Sequence, residues 1–287
     1  MRMILVNGEY KDYVEISDRG FQYGDGLFET IAVEKGQAVF LDWHLERLKA
    51  GCHRLYIPYP GNELLAFEAK ALCQDSGKAV LKLILTRGSG GRGYRQPDVI
   101  QTTRVLTLHP FPSFPGSSLG MFSCAYEDQG ITARFCTTRL GLNPSLAGIK
   151  HLNRLEQVLA RAEWNDSAIQ EGIMLDMNDH VIEGTMTNLF YVKNDTLFTA
   201  SLALAGVAGV MRSIIMALSA QHNLPVIEHT FTKDELFSAD EIFVSNSIIG
   251  IWPINKIANT RFLVGSKTRQ IQNWLDQFKN KVISGDI

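Results

Sequence analysis

Residues 146–161 read LAGIKHLNRLEQVLAR, and what Lys150 does in that stretch decides what kind of molecule this is. Gly148 stands just before the lysine, and Leu152, Leu155 and Leu159 follow it with helical spacing. The pattern predicts an amphipathic helix over residues 152–164, with those leucines as its buried stripe and Lys150 at its entrance. A lysine held on a rigid element can form a Schiff base with an aldehyde cofactor, and burial favours the neutral amine that such chemistry needs. Most lysines near helix starts are solvated surface charges, so this segment alone leaves both readings open.

Further along, residues 181–190 read VIEGTMTNLF: a strand, a glutamate, a turn of small residues and a second strand. Glu183 is either a hairpin surface acid or an inward carboxylate able to pair a protonated pyridine nitrogen, which makes the ring an electron sink. Residues 205–212, AGVAGVMR, place a glycine turn before a helix N-terminus, where free amides can receive an anion. Arg47 in HLERL (44–48) and Ser247 in SNSIIGIWP (245–253) are further anion donors, or simply a helix-surface charge and a strand-end hydroxyl. Residues 87–94, RGSGGRGY, follow an apolar strand. Arg87 and Arg92 there can offer forked cationic partners to a substrate with two carboxylates, unless the loop is a plain surface turn. No Gly-Lys-Ser/Thr follows, which argues against a nucleotide phosphate loop. In SDRGFQYGDGLFET (17–30), Gly24 and Gly26 allow a turn, and Thr30 is placed either for sheet packing or for proton handling.

In this chain order, GIKHLNRLEQ followed by EGTMTNLF resembles the paired motifs of fold type IV pyridoxal-phosphate enzymes. RGSGGRGY and KHLNRLEQ resemble the aminodeoxychorismate lyases within that group, and the resemblance spans nearly the whole chain. It implies a two-domain α+β fold with pyridoxal 5′-phosphate in the interdomain cleft, and a homodimer. Carried over by motif, Lys150 holds the cofactor and serves with Thr30 in catalysis, while Glu183 pairs the ring nitrogen. The amides of Val210 and Met211, together with Arg47 and Ser247, contact the phosphate, and Asn188 belongs to the cofactor site. Arg87, Arg92 and Tyr94 contact the substrate. The reaction implied converts 4-amino-4-deoxychorismate to 4-aminobenzoate and pyruvate. A D-amino-acid or branched-chain transaminase is the alternative on the same residues. A noncatalytic cofactor-binding relative finds little support, because the lysine, the glutamate and the phosphate anchors are all present.

The rest of the chain limits the function classes. Of 287 residues 45% are apolar and 20% charged, as in ordinary globular domains, and 28 basic against 30 acidic residues form no dense run. Nucleic acid is therefore not an expected partner. MRMILVNGEY lacks the apolar core of a signal peptide, and Arg212 interrupts the most apolar stretch, Leu202 to Ala220, so a cytoplasmic protein without a membrane span is expected. Cys52, Cys73, Cys124 and Cys136 show no CxxC spacing and are expected as reduced, mostly buried thiols. The seven histidines show no metal-ligand spacing, and His151 is expected to be structural.

A hairpin is expected at the start, with a strand over 3–6, a turn at Asn7-Gly8 and a return through 10–16. Helices over 43–55 and 63–73 and a strand over 80–86 follow. HPFPSFPGSS (109–118) blocks both helix and sheet. It separates a smaller N-terminal α+β domain, 1–108, from a larger C-terminal one, 120–287, that carries Lys150, with a linker over 109–119. Strands are expected near 172–176, 181–182, 188–192 and 197–199, a helix over 211–221, and a capping box at Thr232 and Glu235.

Overall fold

The computed structural model describes residues 4–113 and 125–286. These fall into two compact units, one of residues 4–111, 149–153 and 279–286, the other of the described residues between 112 and 148 and of 154–278.

The first unit contains β1 (Ile4–Val6), α1 (Arg19–Tyr23), β2 (Gly26–Glu34), β3 (Gln37–Ala38), α2 (Leu41–Leu55), α3 (Asn62–Cys73), β4 (Lys78–Thr86) and β5 (Thr103–Pro110). Its sheet is antiparallel in the order β1-β5-β4-β2-β3. The alternation of β2 and β4 sends Ile31, Leu81, Leu83 and Leu85 to one face, where Leu45 and Leu48 of α2 and Leu65 and Leu72 of α3 complete a buried core. Gly51 lets α2 lie close to this sheet, since a Cβ there would stand 3.0 Å from the Leu27 methyls.

The expected opening hairpin forms only its turn. Val6 and Glu9 exchange backbone hydrogen bonds around Asn7 and Gly8, both at positive φ, but residues 10–16 do not return as a strand. Tyr10, Tyr13, Val14 and Ile16 are exposed and have no face to bury, and the edge of β1 is taken by β5 instead.

The second unit runs α4 (Ala125–Gln129), β6 (Ile131–Leu140), α5 (Leu155–Arg161), β7 (Glu171–Asp176), β8 (Val181–Gly184), β9 (Asn188–Lys193), β10 (Thr196–Ala200), α6 (Val210–Gln221), β11 (Val226–His229), α7 (Lys233–Phe237), β12 (Glu241–Asn246), β13 (Gly250–Ile257), β14 (Thr260–Arg261) and α8 (Ser266–Ser284), whose last residues group with the first unit. Its strands follow the order β11-β10-β9-β12-β13-β6-β7-β8, and β14 pairs β13. β8 then returns to β9 through the pair Glu183 and Asn188, closing a ring from β9 through β12, β13, β6 and β7 to β8. Closure gives every strand of the ring a neighbour on both sides, and Ile173, Leu189, Ile242, Val244 and Ile254 are buried in the core of this unit. Thr232 caps α7 by accepting the Glu235 amide, while the Glu235 carboxylate accepts the Tyr191 hydroxyl at 2.6 Å, so the expected box is formed on one side only.

Two further sequence expectations change. The lysine segment, expected in the C-terminal domain, groups with the first unit, because residues 149–153 run beside β2: the Phe28 amide donates to the Lys150 carbonyl, and the Leu152 amide to that of Gly26. Lys150 is therefore held by sheet-type pairing and not at a helix entrance. The helix itself is short, and its apolar stripe faces outward, with Leu155, Val158 and Leu159 at 75%, 60% and 61% exposure. The linker expected at 109–119 lies outside the described residues from 114 onward, as does Cys124. Cys52, Cys73 and Cys136 are buried free thiols, and burial pushes them up to about 12, 11 and 12. Among the described residues, no helix is long and apolar enough to cross a membrane.

Candidate active site

In the first unit the chemistry gathers on β2. Strand alternation turns Phe28 and Thr30 to one face and Glu29 to the other. On the first face Lys150 Nζ lies 4.3 Å from the centroid of the Phe28 ring, and Lys82 Nζ lies 5.7 Å from the same ring. Thr30, half-buried, pairs with Lys82 across the strands. Phe28 and Lys82 were not singled out from the sequence, although the alternation that places Thr30 also places Phe28.

On the opposite face Glu29 is buried against α2, where His44 and Arg47, three residues apart, share one side of the helix. Arg47 grips the Glu29 carboxylate with its fork, Nε donating to Oε1 at 2.9 Å and Nη2 to Oε2. His44 Nδ1 stands 2.6 Å from Oε2. Burial pushes the Glu29 carboxyl up, but the Arg47 charge and the His44 hydrogen bond outweigh it and hold the group at about 2, below its ordinary 4.5. Burial lowers His44, and the positive charges of Arg47 and Lys150 add to this. A neutral His44 beside an ionised Glu29 must carry its proton on Nδ1, which leaves Nε2 as a buried lone pair with no hydrogen-bond partner. The HxxR spacing was the available signal for this cluster.

The substrate residues expected in RGSGGRGY separate. Arg87 is only 4% exposed; Nε and Nη2 donate to Asp25, and Nη1 and Nη2 to the carbonyls of Tyr56 and Leu55. This corrects its assignment as a substrate contact, since its donors satisfy the end of α2 and the half-buried Asp25 carboxylate. Arg92 and Tyr94 are exposed, the tyrosine at 88%.

In the second unit, the pair that closes the ring also holds the approach to α6. Glu183 Oε2 accepts the Val207 amide at 2.8 Å, and the Asn188 side-chain amide donates to the Val207 carbonyl at 2.8 Å. Gly209 has to be glycine, because a Cβ there would stand 2.0 Å from Asn188 Oδ1. Asn188 thus anchors backbone, a role its sequence motif did not reveal. α6 begins at Val210 without a side-chain cap, so its first-turn amides face outward from the helix end with the positive pole of its dipole. Ser247 sits in the turn between β12 and β13, and that turn is held by Asn246, whose Oδ1 accepts the amides of Ile248 and Ile249. Glu171, buried, fixes the turn after Glu183 by accepting from the amides of Gly172 and Thr185 and the hydroxyls of Thr185 and Thr187. Neither Asn246 nor Glu171 was picked out from the sequence, where each reads as an ordinary strand residue.

These donors fit the expected cofactor. Lys150 supplies an amine, Glu183 a buried carboxylate held in place by an amide, and α6 an uncapped N-terminus suited to a phosphate.

A family model described as amino-transferase class IV matches residues 26–257. An aminodeoxychorismate lyase of Vibrio harveyi is 39% identical over 279 residues, covering 96% of this chain and 100% of that protein. The crystal structure of 4-amino-4-deoxychorismate lyase from Pseudomonas aeruginosa superposes with a TM-score of 0.90 at 42% identity, covering 96% of this chain and 98% of that one. A D-alanine aminotransferase of Listeria monocytogenes is 28% identical, covering 88% of this chain and 86% of that protein.

Proposed function

The chain belongs to the class IV amino-transferase family, and from that footing we propose that it is a pyridoxal-phosphate-dependent lyase converting 4-amino-4-deoxychorismate to 4-aminobenzoate and pyruvate. Its fold is that of the fold type IV enzymes, and the family uses pyridoxal phosphate. The observation that carries the reading is Lys150, held by backbone pairing to β2 with its amine over the Phe28 ring.

When bound, the cofactor ring supplies an electron sink next to the carbon that carries the substrate amine. Lys150 is proposed to hold it. Glu183, oriented by the Val207 amide, pairs the ring nitrogen and keeps it protonated. The amides of Val210 and Met211 receive the phosphate, with Arg47 and Ser247 as further donors. Lys150 Nζ takes up the proton from the carbon bearing the amine. The carbon–oxygen bond to the enolpyruvyl group then breaks, the ring becomes aromatic, and the departing enolpyruvate gains a proton to become pyruvate. Aromatisation drives the elimination, so the protein's part is orientation and proton handling. Thr30, on the same sheet face as Phe28, is the second candidate for proton handling. Arg92 and Tyr94 contact the substrate carboxylates.

The test is a visible spectrum of the purified protein and of Lys150→Ala, followed by aminodeoxychorismate with detection of 4-aminobenzoate and pyruvate. A band that needs Lys150, with both products in equal amounts, is expected. The band without product would move the assignment to a transaminase, in line with the aminotransferase relatives. No band would end the cofactor assignment. The homodimer implied by the resemblance and the cytoplasmic location expected from the sequence belong to the same proposal, and sedimentation of the holoenzyme at two concentrations checks the first.

A further inference from the structure

The stretches 17–30 and 87–94, read separately in the sequence, meet within the first unit, joined by hydrogen bonds from two buried arginines, Arg19 and Arg87. At the root of the loop, the Arg19 amide donates to the Gly88 carbonyl at 2.9 Å, and the Thr86 hydroxyl donates to Asp18, which also caps α1. At its tip, Arg19 Nη1 donates to the carbonyls of Gly93 at 3.1 Å and Arg95 at 3.3 Å. The guanidinium lies 5.0 Å from the Tyr23 ring, and that ring meets Tyr94 edge-on at 5.7 Å. Arg19 Nε donates to Asp25, whose carboxylate also holds Arg87 and through it the end of α2.

The loop cannot order itself. Gly88, Gly90, Gly91 and Gly93 all have positive φ, and glycines lose more conformational entropy on ordering than any other residue. Gly88 is buried and its amide donates to the Thr86 hydroxyl, but residues 89–95 are exposed, and Arg19 donates to the carbonyls of Gly93 and Arg95 there.

We propose that Arg19 is a positioning residue for substrate recognition, holding loop 88–95 in one conformation so that Arg92 and Tyr94 are presented pre-ordered to the anionic substrate. The proposal rests on the reading of Arg92 and Tyr94 as substrate contacts. Pre-ordering lowers the entropy lost on binding, so it acts on KM and leaves the bond-breaking step to other residues. Lysine cannot replace arginine here. One ammonium cannot bond Asp25 and two loop carbonyls while stacking on Tyr23.

Two variants test this from opposite sides. Arg19→Lys weakens the tie from α1. Gly91→Ala disturbs it from the loop, where a Cβ would stand 2.8 Å from the Arg95 carbonyl oxygen at a φ of +78°, and it leaves the Asp25 brace intact. Both are read in the holoenzyme by steady-state kinetics with the substrate the wild type turns over, by the rate of tryptic cleavage after Arg92 and Arg95, and by the urea midpoint. The expected result is KM raised roughly tenfold with kcat within about threefold. Loop cleavage should accelerate by about tenfold or more, from local opening. The Gly91→Ala midpoint should stay at that of the wild type. Wild-type KM and wild-type cleavage rates in both variants would overturn the proposal, as would a fall confined to kcat. Failure of the lyase reading shows elsewhere, as a wild type that makes no 4-aminobenzoate.

Discussion

A methyl group at Gly209 would meet Asn188 Oδ1 at 2.0 Å, and this one contact shows how much the site depends on single atoms. Asn188 is held by its bond to the Val207 carbonyl, so the clash must be relieved by moving the chain just before α6. Gly209→Ala should cost about 1–3 kcal/mol in urea unfolding and weaken cofactor retention on dialysis, because the displaced backbone leads into the amides proposed to receive the phosphate. Unchanged retention would argue that the N-terminus of α6 does not hold the phosphate. Glu183→Gln tests charge apart from shape. Its amide oxygen can still accept the Val207 N–H, so the fold should survive. Loss of the negative charge should lower kcat by roughly 10²–10³, the scale for removing one pre-organised electrostatic partner. At this scale the sequence was informative about residue type and chain order. It misjudged Arg87, because nothing local distinguishes an arginine turned into the protein from one turned out to substrate.

At the scale of elements, α2 was readable because its apolar spacing coincides with its buried face, whereas α5 was not, because the same spacing there faces outward. Periodicity reports that a helix has an apolar side and says nothing about what covers it. The end of α2 illustrates the other omission. Its last carbonyls are satisfied by Arg87 from across the fold, and that arginine shares Asp25 with Arg19. Arg87→Ala leaves the half-buried Asp25 carboxylate with Arg19 as its remaining arginine and removes the donors to the end of α2, so a loss of about 1–3 kcal/mol is expected in urea unfolding. Arg92→Ala, on the exposed loop, should stay within about 0.5 kcal/mol of wild type while raising KM. Reversed outcomes would restore Arg87 as the substrate contact.

For the molecule as a whole, stability should follow the buried carboxylates of the first unit. The folded Glu29 value of about 2 lies below the ordinary 4.5, so its contribution is complete above about pH 4.5 and is lost as pH falls toward about 2. Asp25 shifts the same way: burial opposes ionisation, but the guanidinia of Arg87 and Arg19 prevail. The urea midpoint should therefore decline over that acid range, and Glu29→Gln should decline less; equal slopes would show that Glu29 is not the group responsible. The sequence by itself determined the α+β class, fewer than half of the strands, most of the helices and the family, and it singled out Lys150 as the lysine proposed to hold the cofactor. These depend on local periodicity and on motifs that keep their order along the chain. Only the tertiary structure decided that Lys150 lies beside β2, that Arg87 is internal, that Glu183 and Asn188 close a ring of strands, and that α1 holds the glycine loop. The first, second and last are contacts between segments far apart in the chain, and the ring closes only when β6, β7, β12 and β13 come together from distant stretches, with a geometry set by packing that no local pattern encodes.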